Sequence, residues 1–169
     1  MAKSEERVTS GLYSRHFLEC QMMVALGGRI AEELEFEVGQ VSTGAANDLE
    51  KVTSTARMMV TQFGLSEKLG QVVYPESWSR SKAFTNLIDS EVQALIKRSY
   101  ARAKQLLLDN RQALDAIAGM LLDKETVTAA QLEALLVSSV VTFPSLRRDP
   151  SFDGYDFSAA GIERPRRRV

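Results

Sequence analysis

Residues able to do chemistry are few in this sequence, and their scarcity restricts what it can do. Its 169 residues include one histidine, His16, and one cysteine, Cys20. A zinc centre needs three or four converging donors, so one imidazole cannot complete an H-E-x-x-H site or a histidine-rich di-metal centre. His16, beside Arg15 and Glu19 on a helical turn, reads as an ordinary core or surface side chain. Cys20 has no disulfide partner and apolar neighbours, so it reads as a small buried hydrophobe rather than a nucleophile. Among the carboxylates, Asp48 stands out in the string Ser42-Thr43-Gly44-Ala45-Ala46-Asn47-Asp48-Leu49-Glu50. It projects roughly 80° from the centre of the apolar stripe that follows, at the edge of a buried face, where a ligand would sit. On spacing alone the simpler reading is a first-turn carboxylate meeting the positive end of its helix. Glu32 and Glu33 are adjacent, so on a helix they point about 100° apart and cannot both serve one site.

Helices must position these groups, because strand-like alternation is nearly absent and prolines and glycines number only four and ten. The sequence predicts a mostly α, helical bundle-like domain with at most one short strand near residues 71–74. From Ser14 to Leu26 apolar residues occupy nearly every face, which predicts a helix surrounded by protein. Gly27-Gly28 then predicts a bend or a tight packing point, since two glycines cost a helix roughly 2 kcal/mol relative to alanine. A short helix is expected over Ile30 to Phe36, followed by a loop through Gly39 to Gly44. Leu49, Val52, Thr53, Ala56, Met59, Val60 and Phe63 form one stripe at three- and four-residue spacing, ending at Gly64. A long helix is predicted from about Thr85 to Leu108, with Asp89-Ser90-Glu91 as its acidic first turn. Two more are predicted over Arg111 to Leu122 and Thr128 to Val137, the second opening on a Thr128/Gln131 capping box.

Composition narrows the function. Twenty-one Lys+Arg against 22 Asp+Glu give a net charge of −1 and a pI near 5.9. That lacks the clustered positive charge of a nucleic-acid binder. No apolar run reaches the ~18 residues of a membrane span, and the opening residues carry no signal-peptide core. Residues 143–169 hold six Lys+Arg against four Asp+Glu with no periodicity and end in Arg166-Arg167-Arg168. They are expected to be a polar, disordered tail following a domain over residues 1–142.

Several strings together carry a specific resemblance. Ser4-Glu5-Glu6-Arg7, Gly11-Leu12-Tyr13-Ser14-Arg15, Gln21 through Gly27-Gly28-Arg29-Ile30-Ala31-Glu32-Glu33-Leu34, and Ser42 through Asn47-Asp48-Leu49-Glu50 resemble the peptidase domain of the FtsH family. These are membrane-anchored, ATP-dependent zinc metalloproteases. Ala56-Arg57-Met58-Met59-Val60, Phe63-Gly64-Leu65-Ser66 and Leu69-Gly70 continue the likeness, as does the weaker stretch from Ile88 to Thr126. It covers roughly Ser4 to Val137, and the Gly11 to Arg15 entry is most similar to the plastid and cyanobacterial branch.

In that family two histidines of H-E-x-x-H bind zinc and the intervening glutamate is the general base. An aspartate farther along is the third protein ligand. The resemblance implies that Asp48 is that metal ligand and that Glu32 lies beside the site, orienting a ligating imidazole. It implies no catalytic residue in this sequence itself, since H-E-x-x-H belongs upstream of Ser4. The ATPase module that uses ATP and the membrane anchor belong there too. The expectation is therefore a shortened member whose Zn2+ is not retained by this chain alone, with an apolar part of the Ser14 to Leu26 face left open. The parent would be a homo- or hetero-hexamer acting on membrane and misfolded proteins, in a thylakoid, another organelle membrane or a bacterial inner membrane. The alternative is a catalytically inactive helical module that keeps its place in an FtsH-type ring.

Overall fold

The computed structural model describes residues 13–138 apart from Val38 and Glu76. Five helices account for most of them: α1 (Arg15–Glu35), α2 (Ala46–Thr61), α3 (Lys82–Asp109), α4 (Arg111–Lys124) and α5 (Ala129–Ser138). The class is mostly α. Among the described residues no helix is long and apolar enough to cross a membrane. The expected tail over 143–169 lies outside the described residues.

Helix α1 starts where Ser14 Oγ accepts the Phe17 amide at 3.2 Å. Leu18, Met22, Leu26 and Ile30 follow at four-residue spacing and are buried together, forming one stripe along the helix. Against them pack Val52, Ala56, Met59 and Val60 of α2 and Ile88, Val92 and Leu95 of α3. Each of these three helices contacts the other two, whereas α4 packs on α3 and α5 and reaches α1 through the Arg111 side chain. Small buried side chains on α3, Ser99 and Ala103, complete its inner face.

Polar groups tie the same helices. The Glu19 carboxylate is buried, and an isolated charge there would be costly. It meets Arg15 and Arg102 at 3.0 Å and Arg98 at 3.8 Å, joining α1 to α3. Helix α2 ends at Thr61, and Gly64 (φ +61°) reverses the chain; a Cβ at this glycine would stand 3.0 Å from the Gln71 Cα. Residues 71–74 pass beside that end, with the Tyr74 amide bonded to the Thr61 carbonyl at 2.7 Å. They form no strand. Arg111 secures the start of α4 by donating to the Leu34 carbonyl and pairing with Glu35 and Asp115. The Thr128/Gln131 capping box closes in both directions at the start of α5.

Three expectations are corrected. Gly27-Gly28 neither breaks nor bends the chain into two helices. Met22, Leu26 and Ile30 hold both sides in one stripe, and a Cβ at either glycine would meet nothing within 4 Å. Burial energy outweighs the local propensity cost, and no close packing occurs there. Nor is the first helix surrounded by protein: Val24 is 81% exposed, because the described residues leave the face opposite the core stripe uncovered. Finally, α3 begins at Lys82, where Ser81 caps Phe84, so Asp89 and Glu91 lie about two turns inside it. They serve as partners instead, Asp89 for Arg57 and Glu91 for Lys68 and Ser66.

Two substitutions test this packing. Ile30→Ala, at a fully buried position, should cost about 2–5 kcal/mol. Gly28→Ala should stabilise the chain by up to about 1 kcal/mol, because the added methyl enters open space on a helix. Denaturant midpoints read both, and a destabilising Gly28→Ala would show that the helix is not continuous there.

Candidate functional site

The open face of α1 is one wall of a groove of about 590 Å³, and the first turns of α2 are the other. Phe17, Val24, Ala25 and Val52 make its lining largely apolar. Cys20, Gln21, Lys51 and Thr55 border it, and Asp48 lies among them. The sequence placed Asp48 at the edge of a buried face, and its carboxylate is partly exposed there, 3.0 Å from Lys51 Nζ. Cys20 is not a core residue, as its apolar neighbours suggested. It is half-buried on the groove side, and its Sγ sits 3.6 Å from Nε2 of the exposed His16 one helical turn away.

Asp48 owes its position to the loop before it. Ala45, which precedes α2, offers no side-chain cap. The loop is gripped from α1 instead. Glu32 Oε2 accepts the Ser42 amide at 2.8 Å and Oε1 accepts the Ser42 hydroxyl at 3.0 Å. That hydroxyl accepts the Gly44 amide at 3.1 Å, and Arg29 Nη1 donates to the Ser42 carbonyl at 3.1 Å. Glu33, one residue on and turned about 100° away, faces α3. It accepts Arg29 Nε at 2.9 Å and the Tyr100 hydroxyl. Glu32 and Glu33 therefore have separate partners, as adjacent helical positions require.

The electrostatics follow the contacts. The Tyr100 hydroxyl holds the Glu33 carboxyl below the ordinary 4.5; burial pushes the other way, and Arg29 reinforces the lowering. In return, Glu33 and burial push the Tyr100 phenol upward. Both effects fix a charged acceptor and a neutral donor at neutral pH.

As a metal site the groove is incomplete. Among the described residues no group of three or more His, Cys, Asp and Glu side chains converges in a way that could hold a metal ion. Asp48 fits one oxygen-donor position of such a site and no other described residue completes it. Sequence reasoning missed Ser42, Arg29, Lys51 and Tyr100. Lys51 is three residues beyond Asp48 on one helix and was within reach of a spacing argument. The pairing of Tyr100 with Glu33 spans 67 residues and left no local signal.

The profile of peptidase family M41 matches residues 4–135. The chain is 45% identical over 149 residues to ATP-dependent zinc metalloprotease FtsH 3 of Synechocystis sp., covering 80% of this chain and 24% of that protein. It is 42% identical to ATP-dependent zinc metalloprotease FTSH 5, chloroplastic, of Arabidopsis thaliana, over 80% of this chain and 21% of the relative. It is also 42% identical to an ATP-dependent zinc metalloprotease FtsH of Photobacterium profundum, over 73% and 20% respectively. The chain thus spans less than a quarter of the length of these relatives.

The Tyr100–Glu33 tether generates a pH-dependent prediction. A carboxylate whose pKa is lowered by folding stabilises the native state above its unfolded pKa, near 4.5. That stabilisation is lost as pH falls through the folded value. Tyr100→Phe should therefore cost roughly 1.5 kcal/mol at pH 7, with the difference from wild type shrinking below about pH 4.5. Urea titrations across that range measure it, and a pH-independent difference would refute the tether.

Proposed function

This chain belongs to peptidase family M41, and on that premise we propose that it is part of the peptidase region of an ATP-dependent zinc metalloendopeptidase. It supplies one carboxylate ligand, Asp48, and the groove on which the helix bearing H-E-x-x-H packs. The observation that carries this reading is Asp48 standing at the border of an apolar groove whose α1 wall includes Val24, 81% exposed. An amphipathic helix laid there would cover the apolar lining and bring its own side chains to the carboxylate.

The remaining ligands and the general base come from outside this sequence, whose one histidine sits on the first turn of α1 and is paired with Cys20. One carboxylate does not make a zinc site, so this chain alone is inactive. Residues 1–142 form a partial peptidase unit on this reading, and 143–169 form a polar tail. ATP is used by a separate module of the parent protein. FtsH-type subunits assemble with it as a homo- or hetero-hexamer that degrades membrane and misfolded proteins, held at a membrane by segments outside this sequence. The metalloprotease names of the relatives favour this reading over an inactive assembly module.

Zinc retention tests the assignment. The chain alone should hold no stoichiometric zinc in equilibrium dialysis at micromolar metal. In the intact protease that contains it, Asp48→Asn should lower zinc affinity by more than the ~100-fold typical of residues that only support a ligand. Peptide hydrolysis should fall with it. Tight zinc on the isolated chain, or an Asp48→Asn protease with full zinc content, would overturn the proposal.

A further inference from the structure

A second cavity, of about 200 Å³, lies between the start of α1, the loop after α2 and the middle of α3. Arg15 lines it, whereas Phe17, two residues on and so roughly 160° away around the helix, lines the groove. Cavity and groove therefore occupy different sides of α1. Leu65, Ala94 and Leu95 give the cavity an apolar side, and Lys68, Glu91 and Arg98 give it a charged one. At this volume it has room for about one amino-acid side chain, well below the ~300 Å³ at which small-molecule pockets begin.

The charges around the cavity leave one cation over. Glu91 is filled from within, Oε1 pairing with Lys68 at 2.7 Å and Oε2 accepting the Ser66 hydroxyl at 2.9 Å. Burial pushes this carboxyl up, but the bonds from Lys68 and Ser66 and the charges of Lys68 and Arg98 outweigh it and hold it below the ordinary 4.5. Glu19 is bonded by Arg15 and Arg102, both at 3.0 Å, and the exposed Glu67 stands 3.6 Å from Arg15. Each carboxylate thus has a cation nearer than Arg98. The Arg98 Nη2 comes only to 3.8 Å from Glu19, beyond hydrogen-bond reach, and among the described residues Arg98 donates no hydrogen bond. A guanidinium carries five N–H donors in a planar fork.

We propose that this cavity is a binding site for a single carboxylate of a polypeptide, held by Arg98 with the adjoining carbons against Leu65, Ala94 and Leu95. One uncommitted positive charge balances one carboxylate rather than a phosphate dianion, and the fork matches the two oxygens of a planar carboxylate. The site needs neither Asp48 nor a metal, so it stands or falls apart from the peptidase reading. An acidic side chain and the free C-terminus of a chain present the same group, and the experiment separates them.

NMR titration of the full chain with three short peptides tests it. Acetyl-Ala-Glu-Ala-amide offers a side-chain carboxylate, acetyl-Ala-Ala-Ala with a free C-terminus offers a terminal one, and acetyl-Ala-Gln-Ala-amide offers neither. A carboxylate peptide should shift the Arg98 Nε–H resonance and the amides of residues 66–68 saturably, with a Kd on the order of 1 mM, and the glutamine peptide should not. Saturation by the glutamate peptide alone identifies an acidic side chain as the ligand, by the free C-terminus alone a chain end, and by both the carboxylate itself. Arg98→Gln should weaken binding about tenfold or more. Glu67→Gln removes a competing negative charge from the exposed loop and should tighten it about two- to fivefold, and added salt should weaken it.

Should Arg98→Gln fail to fold, Glu67→Gln reads the same charge dependence with the opposite sign. No saturable shift with either carboxylate peptide, equal shifts with the glutamine peptide, or binding unchanged by Arg98→Gln would overturn the proposal. Inorganic phosphate binding more tightly than both carboxylate peptides would overturn it too.

Discussion

The apolar stripe of Leu18, Met22, Leu26 and Ile30 on α1 is the contact on which the other helices depend. Residues four apart fall nearly in line on a helix, so four side chains make a ridge roughly three turns long that both α2 and α3 can grip. Filling one side of α1 leaves the opposite side free. The same periodicity that builds the core therefore exposes Phe17, Gln21 and Val24 as a groove wall. Core and candidate site are two faces of one helix.

Charge is distributed on α1 by the same angular rule. Glu19 points at α3 and is enclosed by Arg15, Arg98 and Arg102, which keeps a buried carboxylate paired. Glu33 also points at α3 and takes the Tyr100 hydroxyl. Glu32, turned about 100° from Glu33, reaches the loop that leads into α2. Three glutamates of similar chemistry acquire different work from their orientation. Two of them fasten the helix that forms the groove wall, and one holds the entry to the helix that carries Asp48.

On the reading proposed above, the groove is half a site. It offers one carboxylate, a neighbouring lysine and an apolar floor, and it belongs to a chain less than a quarter as long as the relatives named above. An ion needing several converging donors is not held by such a surface. On the reading proposed above, an incoming helix needs a wall that presents one carboxylate at a defined point, and the bonds around Ser42 hold the loop that leads to it.

Much of this was legible in the residues. Helical periodicity announced the class, the Val52, Ala56, Met59 and Val60 part of α2's stripe and the edge position of Asp48, and the Thr128/Gln131 pair announced a capping box, because these signals arise within one or two turns of chain; Leu49, Thr53 and Phe63 of the same stripe are exposed instead, because neither α1 nor α3 covers them. The family likeness over Ser4 to Val137 was also visible in unbroken strings. The continuity of α1 across Gly27-Gly28 was not, since propensity is local and burial on both flanks overrode it. Nor could apolar residues on every side of Ser14 to Leu26 reveal which side would be covered. Composition and spacing determine that a helix forms and which residues share a face. Only the placement of α2 and α3 against α1 decides which face is core, which is groove and which glutamate holds Ser42, because those contacts join residues ten to eighty-three positions apart.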